Sequence, residues 1–278
     1  MTSDQKIAIV TGSSSGIGRE ISLTLAKNNF ITYATMRNMQ KILELKFISE
    51  NKKIPLRFAQ LDVTDDNSVK NAMETIYNES GKIDILVNNA GYGLTGAFED
   101  LSIDEIKNQF ETNVFGLIRM TQAVLPIMRK QKSGLIVNIS SIGGRVGFPA
   151  VSAYVGTKFA VEGLSESISY EVEPFGIKVI LIEPGAIKTN FFNSSASAKK
   201  SQDPNSPYIS LMKGLEEGLK RMVESGTSPE YVAKIVLDVV TNTNDPKLRY
   251  LAGKDAEQLI ESKNKLPDKE FQDMIKQM

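Results

Sequence analysis

Short apolar runs alternate with amphipathic segments over the first two thirds of the chain. The apolar runs are Lys6–Thr11, Phe30–Met36, Leu56–Leu61, Ile83–Val87, Gly134–Ser140 and Lys178–Glu183. The helical patterns between them are Arg19–Asn28, Met39–Glu50, Ser68–Glu79, Ile103–Lys130 and Ala153–Glu173. Continuous apolar strands separated by helices are typical of a parallel sheet that is buried on both faces. With right-handed crossovers, the pattern predicts a doubly wound α/β Rossmann fold.

The alternation ends after Glu183. Residues 191–208 are rich in Ser, Asn and Lys, so we expect a mobile excursion that buries little apolar surface. Ser210–Glu224 and Pro229–Val240 have helical patterns, and Leu248–Leu251 is a candidate edge strand that completes a seven-stranded, mostly parallel sheet. We expect a single domain over 1–278. Its parts are a cofactor-binding and catalytic core (about 5–190), a substrate loop with helices (about 186–228), and a C-terminal helix, edge strand and tail (229–278).

Composition narrows the chemistry. The chain has no cysteine and no histidine, which excludes disulfides, thiolate ligands, histidine bases and most zinc sites. Acid–base catalysis must therefore use Tyr, Lys, Asp or Glu, and no metal site is predicted. Lys plus Arg and Asp plus Glu balance at 33 each, so no affinity for nucleic acid is expected. The start at Met1 to Asp4 lacks signal-peptide features and no run of about 18 apolar residues occurs, so we expect a cytoplasmic protein without a membrane span.

A glycine-rich turn joins the first strand to the first helix. Its spacing is G-x-x-x-G-x-G, which differs from the usual dinucleotide spacing G-x-G-x-x-G. Glycine lets a backbone approach a pyrophosphate closely, and a helix N-terminus adds N–H donors and a favourable dipole. We therefore predict a phosphate site here, with a purely structural turn as the alternative. The candidate contacts are Gly12, Ser14, Ser15, Gly16, Ile17 and Gly18.

Four further segments follow the turn. They are Asn88-Asn89-Ala90-Gly91, Asn113, Ser141 with Tyr154-x-x-x-Lys158, and Pro184-Gly185 followed by Thr189. In this order and rough spacing, the chain resembles the short-chain dehydrogenase/reductase family over about residues 5–190. The segments Tyr33–Arg37 and Arg249–Ala256 look most like the steroid and retinol dehydrogenase branch. The resemblance implies hydride transfer between a nicotinamide cofactor and a carbonyl or alcohol.

The end of the second strand indicates which cofactor is used. An acidic residue there would bind the adenosine ribose and repel a 2′-phosphate, but this chain has Met36 and Arg37. A guanidinium fits a phosphate well, so we predict NADP(H), with Ser14 or Ser15 and Asn38 as helpers. The alternative is that Arg37 is a solvated surface charge.

The resemblance also implies contacts along the rest of the cofactor. Asp62 would hydrogen-bond the adenine amino group beside the Val63 backbone, with a turn or N-cap role as the alternative. Asn89, Ala90 and Gly91 would let the backbone approach the cofactor, whereas Asn88 would bridge strands. Residues expected to line the nicotinamide carboxamide are Pro184, Gly185, Ile187 and Thr189.

The chemical centre is predicted from a helical pair. Tyr154 and Lys158 lie four residues apart and share a helix face, although an ordinary surface pair has the same spacing. A nearby ammonium, together with a nicotinamide cation, would lower the pKa of Tyr154 and suit it to general acid–base catalysis. By resemblance, Lys158 also holds the nicotinamide ribose, and Ser141 polarises the substrate carbonyl, with Ser140 as its rival.

Asn113 is an unusual residue for a helix interior, because its amide competes for backbone hydrogen bonds. We therefore expect a local kink, with an exposed helix position as the alternative. By resemblance, its backbone carbonyl holds a water that links to Lys158 in a proton relay.

The substrate is predicted to be a small to medium hydrophobic carbonyl or alcohol. Candidate walls are Tyr92–Thr95, Arg145–Ala150 and Ala186–Tyr208, with Phe148, Pro149, Val151, Phe191 and Phe192 as apolar members. A redox sensor or scaffold that binds a dinucleotide without turnover is the alternative function, and the four intact catalytic residues argue against it. The apolar surfaces of the two long helices indicate a homodimer or homotetramer.

Overall fold

The computed structural model describes residues 5–191, 195–242 and 246–277, with strands and helices in alternation. The strands are β1 Ile7–Val10, β2 Ile31–Met36, β3 Leu56–Gln60, β4 Ile85–Asn88, β5 Leu94–Thr95, β6 Gly134–Ile139, β7 Ile177–Pro184, β8 Ala196–Ser197 and β9 Arg249–Ala252. The helices are α1 Gly16–Lys27, α2 Ile42–Asn51, α3 Asp66–Ser80, α4 Ile103–Phe110, α5 Gly116–Gln131, α6 Ser152–Val172, α7 Ile209–Ser225, α8 Pro229–Thr241, α9 Lys254–Lys265 and α10 Asp268–Gln277. Met1 to Asp4 and the expected wall residue Phe192 lie outside the described residues. Within those ranges, no helix has the length and apolar content needed to cross a membrane.

Seven strands form the central sheet in the order β3-β2-β1-β4-β6-β7-β9. Every described pairing in it is parallel, so the predicted doubly wound Rossmann sheet is confirmed, including its edge strand β9. The strand order reverses at β1, which pairs with β2 on one side and β4 on the other. In open α/β sheets, ligands bind at the carboxyl ends of the strands beside such a reversal.

Two helical layers explain the continuous apolar strands. In β1, Ile7 and Ile9 join a core that includes residues of α3 and α5. The intervening Ala8 and Val10 join the opposite core, which includes residues of α1 and α8. Since successive strand side chains point to opposite faces, a sheet covered on both sides requires apolar residues at every position.

The predicted long helix Ile103–Lys130 is interrupted. One turn of π-helix at Glu111–Phe115 separates α4 from α5, and it contains the buried Asn113. The side-chain amide of Asn113 bonds both backbone polar groups of Tyr92. Its Oδ1 accepts from Tyr92 N (3.0 Å), and its Nδ2 donates to Tyr92 O (2.9 Å). The predicted kink is confirmed, and the alternative of an exposed position is wrong.

Part of the segment expected to be a mobile excursion packs against the body of the protein. β8 pairs in parallel with β5, and Ala198 is fully buried beside Leu94 and Leu101. Ala198 is the one buried apolar residue among the described residues of 191–208, so the expectation that the segment buries little apolar surface is confirmed. The pairing of β8 was not predicted, because β5 supplies backbone partners that the composition of the segment does not reveal.

The residues expected to form a C-terminal tail fold into α9 and α10. Leu259, Ile260 and Phe271 pack with Ile142 and Val146, which follow Ser141 in the chain. Both helices have acidic residues in the first turn and lysines in the last turn, which suits the helix dipole. The two C-terminal helices therefore cover the carboxyl ends of the strands next to Ser141.

Close packing at Gly116 provides a test of the fold. A β-carbon there would lie 2.6 Å from Val63 Cγ2 and 2.9 Å from Val63 Cβ. We expect Gly116→Ala to lower the free energy of unfolding by about 1–3 kcal/mol, measured by urea denaturation, because overpacking forces shifts in neighbours. Combined with Val63→Ala, the loss should be smaller than the sum of the single losses.

The matched control is Gly163→Ala on α6, since no described atom lies within 4 Å of a β-carbon at that position. This variant should be neutral or gain up to about 1 kcal/mol from helix propensity. Equal effects at Gly116 and Gly163, or strictly additive effects of Gly116→Ala and Val63→Ala, would contradict the described packing.

Candidate active site

A cleft of about 1680 Å³ runs along the carboxyl ends of the central strands. It is larger than the roughly 300–1,000 Å³ of typical small-molecule pockets, which leaves room for a dinucleotide and a second ligand. The structure brings most of the predicted site residues together in its walls. They are Gly12, Ser14, Ser15, Gly16, Ile17, Arg37, Asp62, Val63, Asn89, Ala90, Gly91, Ser141, Tyr154, Lys158, Pro184, Gly185, Ile187 and Thr189. Gly18, Asn38 and Asn113 are not among the lining residues.

The glycine turn forms one end of the cleft. Gly12 and Gly16 have φ values of 69° and 56°, in the left-handed region that favours glycine. The first turn of α1 has no acidic residue and, among the described hydrogen bonds, no side-chain cap from Ser15. Its first backbone N–H groups therefore remain available at the positive end of the helix dipole, and this end of the cleft fits a pyrophosphate.

Asn89 and Thr11 fasten the turn to the end of β4. Asn89 Nδ2 donates to Thr11 O (2.9 Å), and Thr11 Oγ1 accepts from the backbone N of Asn89 and Ala90 (3.0 Å each). A β-carbon on Gly18 would overlap the amide of Asn89, so Gly18 serves the close approach of α1 to β4. Thr11 was not among the predicted site residues, although a hydroxyl residue directly before the glycine turn is a local signal for this role.

Asn88 has the bridging role that was predicted for it. Its Nδ2 donates to Asn138 Oδ1 on β6 (2.9 Å) and to Thr121 Oγ1 on α5 (3.2 Å). The side chain is buried and thus positions β4 and β6 without facing the cleft.

Arg37 and Asp62 line the cleft where β2 and β3 end. The Arg37 side chain is 77% exposed, and its Nε lies 4.0 Å from Asp62 Oδ2. Asp62 Oδ1 accepts from Thr64 N and Oγ1 (3.0 and 2.8 Å), whereas the N-cap of α3 is Asp65. Asp62 therefore forms a turn and is not the helix cap. Asn38, outside the cleft lining, uses its side chain to cap the short turn Met39–Lys41.

The predicted chemical residues converge at the other end of the cleft. Tyr154 is buried and hydrogen-bonds to Ser141, whose Oγ also accepts from Gly143 N (3.0 Å). Lys158 Nζ donates to Ile139 O (2.8 Å) and lies 5.7 Å from the Tyr154 ring centroid. The pair faces the interior, so the alternative of an ordinary surface pair on α6 is wrong.

Ser140 and Ser141 occupy different surroundings. Ser140 is buried, and its Oγ has no hydrogen-bond partner within the described part of the chain. A β-carbon on Gly144 would lie 2.8 Å from that Oγ, so the Ser140 hydroxyl is directed toward the short turn Ile142–Gly144. Of the two serines, Ser141 is the one that the structure brings to Tyr154.

Burial dominates the electrostatics of the pair. It raises the pKa of Tyr154 to about 12, and the hydrogen bond with Ser141 lowers that pKa only in part. Burial also lowers the pKa of Lys158 to about 8, while the charge of Glu162 raises it. The expectation that Lys158 depresses the tyrosine pKa is therefore wrong for the chain by itself, because desolvation disfavours both charged forms. Tyr154 carries its proton at neutral pH.

Asn113 supports this centre through the backbone. Its Nδ2 donates to Thr157 Oγ1 (3.2 Å), and Thr157 Oγ1 donates to the carbonyl of Tyr154 (2.7 Å). The π-turn is thereby joined to the first turn of α6. This amide contact holds the helix that carries Tyr154 and Lys158.

The remaining cleft wall is largely apolar. Tyr92, Phe148, Pro149, Val151 and Phe191 line it as predicted, and the ring of Phe191 meets the Tyr154 ring edge-on at 5.8 Å. Three further lining residues, Leu211, Leu215 and Leu219, are on α7, within the segment 186–228 expected to contact the substrate. Leu259 of α9 and Ile275 of α10 also line the cleft, and these two were not predicted, because no local signal relates their helices to the cleft.

Asp255 is a further supporting residue that was missed. Its Oδ2 accepts from the backbone N of Ala186 (2.6 Å), and a β-carbon on Gly185 would overlap its carboxylate. The segment Pro184–Thr189 is thus held from α9, a contact between residues about seventy positions apart.

Several known proteins are similar over nearly the whole chain. Oxidoreductase BOA17 of Botryotinia fuckeliana is 40% identical over 254 residues, with 90% of each protein covered. A 3-ketodihydrosphingosine reductase of Bacteroides thetaiotaomicron is 37% identical over 271 residues, covering 96% of this chain and 95% of that protein. Retinol dehydrogenase 8 of Homo sapiens is 35% identical over 258 residues, covering 90% and 82%.

Solved structures and a family model agree with these relatives. A short-chain dehydrogenase from Streptomyces avermitilis superposes with a TM-score of 0.82 at 34% identity, over 94% of this chain and 93% of that one. ElxO with NADP bound superposes with a TM-score of 0.76 at 28% identity, over 89% and 97%. The family model described as short chain dehydrogenase matches residues 6–200. The chain therefore belongs to the short-chain dehydrogenase family.

Proposed function

We propose that the chain is an NADP(H)-dependent oxidoreductase that interconverts a carbonyl and a primary or secondary alcohol on a hydrophobic substrate. The observation that carries this proposal is the convergence of Tyr154, Ser141 and Lys158 at one end of a cleft. The other end of the same cleft presents the glycine turn and Arg37. A dinucleotide bound along the cleft would extend from the phosphate region to the chemical residues.

The residues present fit such a cofactor. The turn from Gly12 to Ile17 would hold the pyrophosphate through backbone N–H groups, and Arg37 would pair with the 2′-phosphate. Asp62 and Val63 would contact the adenine, and Lys158 would hold the ribose next to the nicotinamide. The nicotinamide dinucleotide supplies the hydride when bound. Residues proposed to approach the cofactor at the strand ends are Asn89, Ala90, Gly91, Pro184, Gly185, Ile187 and Thr189.

The proton chemistry is assigned to Tyr154. With a pKa of about 12, its hydroxyl is protonated at neutral pH and suits the donation of a proton to a carbonyl oxygen during reduction. Ser141, bonded to Tyr154, would donate a hydrogen bond to the same oxygen and polarise the carbonyl. The Lys158 ammonium favours the return of a proton to Tyr154 through the Asn113 carbonyl and water, as the family resemblance implies.

The substrate is proposed to be apolar around its reacting group. Phe148, Phe191, Leu211, Leu259 and Ile275 line the cleft and can exclude water from the substrate. Among the relatives are a 3-ketodihydrosphingosine reductase and a retinol dehydrogenase, which supports a carbonyl and alcohol pair on a lipid-like molecule.

The central test is Tyr154→Phe. For a carbonyl that the wild type reduces, the variant should have a kcat about 10²–10⁴-fold lower, because the proton donor is lost. NADPH binding, followed by the fluorescence of the reduced cofactor, should change little. The rate is measured by NADPH consumption over a panel of apolar ketones and aldehydes.

The matched control is Tyr170→Phe, an exposed tyrosine on the same helix that should retain wild-type turnover. Full activity of Tyr154→Phe would contradict the assignment of the proton donor. A wild type that binds NADPH but turns over no member of the panel would instead favour the redox sensor or scaffold.

The choice of NADP(H) is tested at Arg37. We expect Arg37→Asp to weaken NADPH binding by about 10- to 100-fold, since a charge-assisted hydrogen bond contributes about 1.5–3 kcal/mol. NADH binding should change much less. Lys41→Asp makes the same charge change at an exposed residue outside the cleft lining. It should leave the ratio of NADPH affinity to NADH affinity near that of the wild type. An unchanged affinity ratio in Arg37→Asp would contradict the assignment of Arg37 to the 2′-phosphate.

We also propose that the chain self-associates through its long helices. Phe115, which directly precedes α5, and Phe159 on α6 are both about half exposed, at 48% and 46%. Large apolar side chains on neighbouring helices are typical of a protein interface, and most soluble oligomers are symmetric homo-oligomers. A homodimer or homotetramer is therefore the proposed assembly.

Light scattering after size-exclusion chromatography tests the assembly. Phe159→Glu should lower the measured mass to that of a monomer, because it places a charge in the apolar contact. Phe47→Glu changes an exposed phenylalanine on α2 (65% exposed) and should leave the mass unchanged. A monomeric wild type, or equal effects of both variants, would refute this interface.

A further inference from the structure

The face of α6 that carries Tyr154 and Lys158 also carries two carboxylates. Tyr154, Lys158, Glu162 and Glu166 follow one another at intervals of four residues, which places them along one side of the helix. Glu162 is only 5% exposed, an unusual condition for a carboxylate. With a rise of 1.5 Å per residue, it stands about 6 Å along the helix from Lys158.

Arg249 on the edge strand β9 holds this carboxylate in place. Its Nε donates to Glu162 Oε2 (2.8 Å), and its Nη2 donates to Glu166 Oε2 (2.6 Å). The same Nε lies 3.4 Å from Glu183 Oε1 at the end of β7. Glu183 is 1% exposed and also accepts from Arg145 Nη1 (3.2 Å).

Basic and acidic side chains lie together around the Lys158 and Glu162 part of α6. The groups that meet here are Lys158, Arg145 and Arg249 against Glu162, Glu166 and Glu183. From the other packed elements, the exposed Lys263 of α9 donates to the Arg145 carbonyl, and the Tyr170 hydroxyl donates to Glu166. Glu162 and Glu183 are 5% and 1% exposed, whereas the Glu166 side chain is 44% exposed, so the two buried carboxylates depend most on nearby cations. Uncompensated buried charge is costly.

The turn Ile142–Gly144, which follows Ser141, packs closely against Glu162 and Lys158. A β-carbon on Gly144 would lie 2.8 Å from Glu162 Cγ and 3.0 Å from the Lys158 carbonyl oxygen. Glu162 Oε1 is buried and has no hydrogen-bond donor within the described ranges, so its charge depends on nearby cations. Arg249 is the cation that contacts Glu162 directly, and Lys158 is the cation one helical turn away on the same face of α6.

We infer that Glu162 is a positioning residue whose buried carboxylate, aimed by Arg249, holds Lys158 in the ammonium form. The catalytic consequence rests on the proposed function, but the pairing itself does not. The balance of effects on Lys158 agrees, because burial lowers the pKa of that amine to about 8 and the Glu162 charge raises it. Without Glu162, Lys158 would lose its proton at a lower pH.

The pairing is tested without turnover by a ¹³C NMR titration of lysine ε-carbons, with the Lys158 signal assigned by its loss in Lys158→Met. In Glu162→Gln, the midpoint for Lys158 should fall by about one pH unit. Glu162→Asp keeps the charge and should restore a midpoint near that of the wild type. An unchanged midpoint in Glu162→Gln, or equal shifts in the Gln and Asp variants, overturns the inference.

Glu166→Gln is the matched control. Its carboxylate binds the same arginine but stands about 12 Å along the helix from Lys158, so the midpoint should stay near that of the wild type. A shift as large as that of Glu162→Gln would overturn the specific pairing. Should Glu162→Gln fail to fold, the double variant Glu162→Gln with Arg249→Gln is compared with Arg249→Gln alone. The midpoint should be lower in the double variant, and equal midpoints overturn the inference.

The pH profile of carbonyl reduction then tests the catalytic consequence. Activity that needs the ammonium falls as pH rises through the Lys158 pKa, so a lower pKa moves the alkaline limb of kcat/KM to lower pH. In Glu162→Gln, this limb should move by the same amount as the NMR midpoint. A limb that stays in place while the midpoint shifts overturns the link to catalysis. A wild type without turnover defeats the proposed function, whereas the NMR titration still decides the pairing.

Discussion

Burial of the sheet on both faces is the constraint on which the site depends. The polar side chains that the two helical layers bury inside the sheet bond within the fold, as Asn88 does to Asn138 and as Thr32 and Thr35 do to backbone carbonyls. Polar chemistry is consequently confined to the places where strands end. Parallel strands end at one edge, so the turn after β1, the exit of β4, Ser141 after β6 and Pro184 of β7 all open into one cleft.

The same desolvation governs the chemistry of that edge. It makes Tyr154 a firmly protonated hydroxyl and makes Lys158 a weaker cation than a solvated lysine. The chain has no histidine, so the proposed acid–base chemistry depends on these two side chains. The negative charge of Glu162 raises the pKa of Lys158 and so opposes the effect of burial on this amine.

The last third of the chain reaches back to the site through three contacts. Arg249 of β9 binds carboxylates of α6 and β7, and Asp255 of α9 holds the backbone after β7. The apolar residues of α9 and α10 pack on the turn that follows Ser141. A segment that lies outside the recognisable motifs therefore stabilises both the proton-bearing residues and the proposed nicotinamide region.

The sequence by itself determined the sheet, the order of its elements and most of the cleft lining. These depend on local signals: periodicity of apolar residues, glycine in a tight turn, and helical spacing of Tyr154 and Lys158. Even the interruption at Asn113 was visible, because asparagine is a poor helix residue. Only the tertiary structure decided what depends on residues far apart in sequence. Such features include the pairing of β8 with β5, the folding of α9 and α10 over the site, the hydrogen bond between Ser141 and Tyr154, and the direction of the tyrosine pKa shift. Desolvation and long-range contacts are properties of the packed chain, and no local pattern of residues records them.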